Sequence, residues 1–557
     1  MTEPAVNDPA VIEKRTNPQA RTGFLLLLAF CGFLFFYGLG AFGLLGADEP
    51  RYAQVAREML NRSDWVTPTL QGKPWLEKPV LYYWQAMLSF RALGVSGAAA
   101  RVPAAFDAAL LAAAIYFFLK RFRPGTELDG TLITASCAGI IGFAHAAATD
   151  MPLAASFSVA LLAWYGWYQS RQKIYLAAFY IFLALGTLAK GPVAPALSAV
   201  ILFLFIAVKR DWRAVAGTLW ITGIALYLVV MLPWYVAVQM RNPEFFRVFI
   251  LEHNLARFSQ DVYHHRQPFW FYLPVFLLAT MPWTIVLVLA VTEYVRLMLS
   301  RGKESTIDPE GPGKDPEDPR NSWPLFLLIW MLVPILFFSI SQSKLPGYIL
   351  PAVPAGALLV TQYLSTCRRA GVKFSMWFAA AQGMLCGVLI FVALSAASIV
   401  AYHRLPRGTG TYLAAAVAAI FALGIAIALR SRSGLRLLTR VTALAVVIGV
   451  GAVIRLSAPV VDANQSARPI AERIQAVSHQ AVPLAIYRIN RLQQYGLEFY
   501  LNRAAQSYES GNIPADPHVV VAAQGTETQV AQLVPGRRVS YVTGFPEQKL
   551  DVYWVGK

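Results

Sequence analysis

Apolar runs of about 20 residues, enough to cross a bilayer as a helix, recur along the first 456 positions. Short polar or basic stretches separate them. The pattern predicts about thirteen helices, at roughly 24–45, 99–119, 130–148, 151–168, 174–189, 193–208, 215–238, 269–296, 323–340, 347–366, 374–401, 411–429 and 437–456. The fifth and sixth are short, as tilted or broken spans are. A polar segment containing Pro4, Pro9 and Pro18 precedes the first run, which is too long for a signal-peptide core and reads as a retained anchor. After Ser457 the pattern changes. Residues 464–480 read as helix, and VPLAIYRI, HVVVAAQ, RVSYVTGF and LDVYWVG read as strands. These make a small soluble α/β domain of about 100 residues, with no glycine-rich phosphate loop; a lid or a docking role both fit it. The expected fold is an α-helical polytopic membrane protein in two parts, 1–456 and 457–557, with outer loops at 46–98 and 239–268 and amphipathic helices on the outer face.

Composition narrows the class. The 557 residues are 57% hydrophobic and 14% charged, with 14 Trp, and the mean hydropathy is +0.49. A soluble protein of this length is excluded. The net charge of +17 points to basic loops facing the cytoplasm and anionic lipid, and not to nucleic acid. Cys31, Cys137 and Cys386 lie inside apolar runs and Cys367 at the end of one, with no CxxC, so neither a disulfide framework nor a cysteine metal site is expected.

Lysine and arginine fall in alternate loops: Lys14/Arg15/Arg21, Lys120/Arg121/Arg123, Arg171/Lys173, Lys209/Arg210/Arg213, Arg296–Arg320, Arg368/Arg369/Lys373 and Arg430/Arg432/Arg436. The positive-inside rule makes that set cytoplasmic. The N-terminus is then inside and the C-terminal domain outside. The stretch Gly46–Trp84, the junction at Asp150, the Lys190-Gly191-Pro192 turn, the loop 239–268 and the turn Ser341–Tyr348 all share the outer face. A structural protein has no evident need of this; an enzyme working at that surface does.

The stretch from Gly46 to Trp84 is dense in charge and aromatics: Asp48, Glu49, Arg51, Tyr52, Glu77, Lys78, Tyr82 and Tyr83. Asp48 sits at an N-cap position with Pro50 just inside the helix. Tyr52, Val55, Ala56 and Met59 make an apolar stripe, predicting a short helix lying on the bilayer. Asp48 is either a cap or a functional carboxylate, and so is Asp150, which precedes Pro152. An ionised Asp deep in a bilayer costs about 2.5–3.5 kcal/mol on insertion scales, so Asp150 belongs at the interface or in a polar cavity. Together the two form a candidate acidic pair for a cation or for acid–base work.

Lys78 is either a snorkelling lysine or a phosphate contact. Lys344 and Tyr348, on a backbone broken by Pro346 and Gly347, are either a plain turn or lipid-phosphate ligands. In the loop 239–268, Arg257 suits a phosphate and Arg266 is its alternative. His253 and His265 are candidate metal ligands with Glu77, although His264–His265 adjacency is poor spacing for a helix face. His145, a turn before Asp150, reads as a buried, hydrogen-bonded histidine.

DEPRYAQVAREML, DW, EKP, YYW, ATDMPLA, AKGPVA, HNLARF, HRQPFWFY and SKLPGYILP, in that order from Ala47 to Pro354, resemble the bacterial branch of the protein O-mannosyltransferase superfamily. These are GT-C membrane glycosyltransferases, and the chain is most similar to the lipid A aminoarabinose transferases among them. The resemblance implies an inverting glycosyltransferase at the periplasmic face of the inner membrane. Its donor would be undecaprenyl phosphate carrying 4-amino-4-deoxy-L-arabinose, its acceptor a lipid A phosphate, and its outcome resistance to polymyxin and cationic peptides. It makes Asp48 the catalytic aspartate and Asp150 the second acid. Lys78, Arg257, Lys344 and Tyr348 become donor-phosphate ligands, with Arg51, Tyr52, Tyr82 and Arg266 on the acceptor or cavity side. A divalent metal ion is compatible with this reading and not required by it. Two alternatives stand beside it: the same chemistry on a protein or another glycan, and transport of a lipid-linked precursor. Transport would bring related halves and midplane charges, and the sequence has neither.

Overall fold

The computed structural model describes residues 18–249, 267–300, 322–372, 375–403, 405, 408–431, 434–477 and 482–557. The N-terminal half contains α1 (Pro18–Phe36), α2 (Asp48–Asn61), a two-stranded hairpin of β1 (Thr69–Leu70) and β2 (Lys73–Pro74), α3 (Leu81–Leu93) and α4 (Gly97–Phe122). Then follow α5 (Glu127–Ala135), α6 (Ala138–Ala144), α7 (Asp150–Ser170), α8 (Lys173–Lys190), α9 (Val193–Lys209), α10 (Arg213–Thr218) and α11 (Ile221–Arg241). Among the described residues, eight helices are long and apolar enough to cross a membrane, and nine if one bent pair counts as a span. The chain is a multi-pass membrane protein.

Several expected spans differ in shape. The first helix ends at Phe36, and residues 37–47 form a loop. The run at 130–148 is split between α5 and α6, where Thr134 and Ser136 turn their hydroxyls back onto helix carbonyls. The run at 269–296 bends by 116° between Phe269–Ala279 and Thr284–Met298. At the far end, the helix beginning at Gly434 continues through a π-turn at Val453–Ser457 into Ala458–Gln465, so residue 457 lies within helix.

α7 is apolar on every side and buried from Met151 to Tyr168, because protein surrounds it. Trp164 stacks on Tyr168 and Phe326, at ring-centroid distances of 5.4 and 5.8 Å. α11 exposes most of its apolar surface, as a helix bordering lipid does.

α2 does not turn its apolar stripe to lipid. Its stripe is buried against protein: Tyr52, Val55, Ala56 and Met59 join Tyr82, Tyr83, Phe90, Trp234, Phe249 and Phe499 in one cluster. Ala53 and Gln54 are buried as well, because the C-terminal helix Arg491–Leu501 covers the side expected to face outward.

The C-terminal sheet has the order β4-β3-β5-β7-β6, from β3 (Leu484–Tyr487), β4 (Ala505–Ser507), β5 (His518–Ala523), β6 (Val539–Phe545) and β7 (Leu550–Val555). β4, β3 and β5 run parallel, and β7 and β6 pair antiparallel beside them. Helices Arg468–Val477 and Arg491–Leu501 cover one face, through Ile470, Ile474 and Leu497. Helix Glu527–Leu533 covers the other through Val530. Four strands match their expected positions; β4 and the helices at 491–501 and 527–533 are additional. This unit is stapled to the α1–α2 loop. Gly43 N–H donates to Asp462 (2.7 Å), Leu44 N–H to the Tyr500 hydroxyl (2.7 Å), and Arg468 to the Gly40 carbonyl (3.0 Å).

Candidate active site

The start of α2 is fixed by a buried ion pair. Glu49 faces Arg101 of α4 at 2.7 Å, and the arginine is fully buried. Arg101 also donates to the carbonyls of Leu39, Phe42 and Gly43. Glu49 accepts the backbone N–H of Leu45 (2.6 Å) and of Ala147 (2.7 Å). The Ala147 bond ties α2 to the turn that leads into Asp150. A buried pair of this kind holds geometry because each partner's remaining valences are filled.

Asp48 follows the Ala47 N-cap and makes no capping bond. It is the first residue of the helix and half exposed. Its carboxylate instead pairs with Arg51 across one turn. The Arg51 guanidinium lies over three rings: Tyr52 at 5.2 Å, Trp75 at 5.1 Å and Tyr495 of the C-terminal unit at 5.7 Å. Burial opposes the charge on Arg51, but Tyr52, Asp48 and Glu77 favour it and raise its pKa. Burial likewise pushes the Tyr52 phenol well up, and the charges of Asp48 and Asp150 add to this against Arg51. Both carboxylates therefore act on one tyrosine. Three hydrogen-bond donors here, Arg51 Nε, Trp75 Nε1 and the Tyr83 hydroxyl, are buried without a hydrogen-bond partner among the described residues. Unmet buried donors are costly; around a cation they suit an anionic oxygen ligand.

Asp150, at the start of α7, is likewise no cap: Thr149 holds that position and no side-chain capping bond is made. Asp150 Oδ1 accepts from Lys190 Nζ at 2.6 Å. Lys190 Nζ also lies 4.7 Å from the centre of the Tyr348 ring. The turn that brings Tyr348 in depends on Gly347, since a Cβ there would fall 2.4 Å from Asp150 Oδ1 and 3.0 Å from the Phe143 ring. Tyr272 holds the same turn, its hydroxyl donating to the Leu345 carbonyl (3.1 Å) and accepting from Leu345 N–H (3.2 Å). Lys344 is buried, its ammonium on the Ser341 carbonyl, and burial lowers its pKa.

The expected residues divide as follows. Asp48, Arg51, Tyr52 and Glu77 act on one another at the start of α2; Asp150 and Tyr348 meet through Lys190. Lys78 lies between the hairpin and α3. Tyr82, expected on the acceptor or cavity side, is fully buried between α3 and α4 and donates to the Ala100 carbonyl (2.8 Å), a packing position. Arg257, Arg266, His253 and His265 lie outside the described residues. Of the metal set only Glu77 is described, and among the described residues no three His, Cys, Asp or Glu side chains are grouped to hold a metal ion. His145 is hydrogen-bonded as expected but only half-buried, its two ring nitrogens at the carbonyls of Ile141 (3.0 Å) and Tyr37 (3.2 Å). Nothing in the sequence points to the pairing of Glu49 with Arg101, or to Trp75 or Tyr495; Lys190 carries a signal only as a charge in an outer turn.

A multi-pass helical bundle carries two acid–cation clusters beside a small α/β unit, and the relatives of the chain place it among the GT-C glycosyltransferases. ArnT from Cupriavidus metallidurans, solved bound to undecaprenyl phosphate, superposes with a TM-score of 0.75 at 21% identity, covering 96% of this chain and 98% of that one. The family model for dolichyl-phosphate-mannose-protein mannosyltransferase matches residues 21–249. The undecaprenyl phosphate-alpha-4-amino-4-deoxy-L-arabinose arabinosyl transferase of Aeromonas hydrophila is 30% identical over 393 residues, 68% of this chain and 67% of that protein. The chain belongs to this arabinosyl transferase family. Against the relatives from Pseudomonas aeruginosa and Sodalis glossinidius, also 30% identical, the match spans 61% and 60% of their length.

Proposed function

We propose that the chain transfers 4-amino-4-deoxy-L-arabinose from undecaprenyl phosphate to lipid A phosphate groups at the periplasmic face of the bacterial inner membrane. The supporting observation is the presence of two acid–cation clusters, Asp48–Arg51 and Asp150–Lys190–Tyr348, with three buried donors beside the first that have no hydrogen-bond partner among the described residues. In this reading Lys78, Lys344 and Tyr348, with Arg257, hold the donor phosphate, and Arg51 faces the acceptor with Tyr52 and Arg266. The transferase domain runs through the helix that ends at Gln465, and the residues after it form a periplasmic domain. The N-terminus is cytoplasmic. The added amine offsets phosphate charge, which weakens the binding of polymyxin and other cationic peptides.

An acceptor phosphate oxygen attacks the anomeric carbon. The bond from that carbon to the donor oxygen breaks, and its electron pair leaves on undecaprenyl phosphate, where cations stabilise it. Direct displacement inverts the anomeric centre. A phosphate monoester has a second pKa of about 6 and needs no strong base. Asp48 then orients the amino sugar and does not remove a proton.

The match to a protein mannosyltransferase model favours a second reading, with a protein hydroxyl as acceptor and Asp48 as its base. The test is the mass spectrum of lipid A from cells that make the donor but lack its transferase, carrying either this chain or its Asp48→Ala variant at matched membrane level. Aminoarabinose on lipid A with the wild type alone is the expected result. Addition by both chains would remove Asp48 from the mechanism; addition by neither would move the search to other sugars and to protein acceptors.

A further inference from the structure

The third wall around Arg51 comes from the other end of the sequence. Tyr495 sits on the helix Arg491–Leu501 of the C-terminal unit, and its ring centre is 5.7 Å from the guanidinium carbon. Tyr52 and Trp75 supply the other two walls from the same stretch as Arg51. Three further contacts seat that helix on α2 and the hairpin. Arg57 donates to the Phe499 carbonyl at 2.6 Å, Gln71 donates to Glu498, and Phe499 enters the cluster beneath Tyr52 and Tyr83. The helix itself is rigidly started, with Asn490 and Gln493 closing a capping box at 3.0 and 3.2 Å. A ring on such a helix is held in place independently of the substrate.

An arginine needs that restraint here. Asp48 is half exposed and bonds Arg51 from one side only, and Arg51 Nε has no hydrogen-bond partner among the described residues. Ring faces hold a guanidinium by its plane and leave its N–H edge for a ligand.

We propose that Tyr495 is a positioning residue that fixes the plane of Arg51, so that the C-terminal unit completes the acceptor side of the active site. This rests on the reading of Asp48 and Arg51 as site residues. Tyr495 touches no reacting atom; it keeps the Arg51 edge aimed at the acceptor's anionic oxygens. Removing it weakens acceptor capture more than it slows the committed step.

The test uses the full-length protein in lipid nanodiscs, with undecaprenyl phosphate–aminoarabinose as donor and purified lipid A as acceptor. KM for lipid A and kcat are measured for the wild type, Tyr495→Ala, Tyr495→Phe, Arg51→Lys and the Tyr495→Ala/Arg51→Lys double variant, with a thermal melt of each. Tyr495→Ala is expected to raise the acceptor KM about tenfold, the scale of a partly desolvated cation–π contact, with kcat within about twofold. Tyr495→Phe, which keeps the ring, restores the wild-type KM. In the Arg51→Lys background, adding Tyr495→Ala has little further effect, as expected of two residues acting through one contact. An unchanged KM in Tyr495→Ala, an equal loss in Tyr495→Phe, or full additivity with Arg51→Lys overturns the proposal. If Arg51→Lys alone behaves as wild type, the underlying site assignment falls; if Arg51→Lys is impaired and Tyr495→Ala is not, only the role of Tyr495 falls.

Discussion

All five N–H groups of Arg101 are committed, two to Glu49 and three to the carbonyls of Leu39, Phe42 and Gly43. Arg101→Met would strand Glu49 and those carbonyls together. The expected loss is about 3–5 kcal/mol of stability, the cost of breaking a buried pair by removing one partner, read as a fall in melting temperature with activity lost in parallel. Gly347 acts by its smallness. In Gly347→Ala the new methyl group collides with the Asp150 carboxylate, so Asp150 must shift against Lys190. Activity should drop about a hundredfold, the effect of an ångström-scale misplacement, while the melt changes little. A melt that collapses together with activity would show that the turn is structural only. Asp48, Asp150, Lys344 and Tyr348 were legible as single residues because charge or broken backbone is rare in so apolar a chain. Glu49 and Arg101 were not, because their meaning lies in a pairing across 52 positions, and nothing local records it.

The hairpin between α2 and α3 is built on one carboxylate. Glu58 accepts from the Thr69 hydroxyl (2.8 Å) and the backbone N–H groups of Gln71 (2.8 Å) and Gly72 (3.1 Å). Gln71 then reaches Glu498 on the C-terminal helix. Burial raises the Glu498 pKa above its usual 4.5 and Glu58 adds to this, while bonds from Gln71, Gln494 and Ala505 N–H oppose it. The folded state therefore binds the Glu498 proton more tightly than the unfolded chain does. Its contribution is full below the unfolded pKa and is lost as pH rises through the folded one. Glu498→Gln should raise the melting temperature more at pH 8 than at pH 5; an equal gain at both would remove Glu498 from the pH dependence. At this scale the stripe of α2 predicts a buried face and is one, but protein and not lipid buries it. A stripe specifies that a face is buried, not whether lipid or protein buries it. Helix 491–501 is not marked in the sequence because its apolar and polar residues are balanced and its burial is divided between the sheet and α2.

At the scale of the molecule, the thirteen apolar runs gave the membrane character and the approximate order of helices. They did not distinguish a straight span from the α5–α6 break or the 116° bend, because hydropathy counts composition and not direction. Orientation is open to a direct measurement. The four native cysteines are buried, so an introduced thiol can be labelled alone. Ser510→Cys, on the C-terminal unit, is expected to react with a membrane-impermeant maleimide on intact spheroplasts, and Arg210→Cys only after lysis; the reverse order would invert the topology. The staples from Gly43 and Leu44 to Asp462 and Tyr500 join places 419 and 456 residues apart. During synthesis the ribosome delivers one side of each long before the other. Arg101 follows Glu49 by only 52 positions, so both partners of that pair are made long before the last helices. The ring of Tyr495 arrives last, so the three rings around Arg51 are complete only once the final unit has been made and has docked.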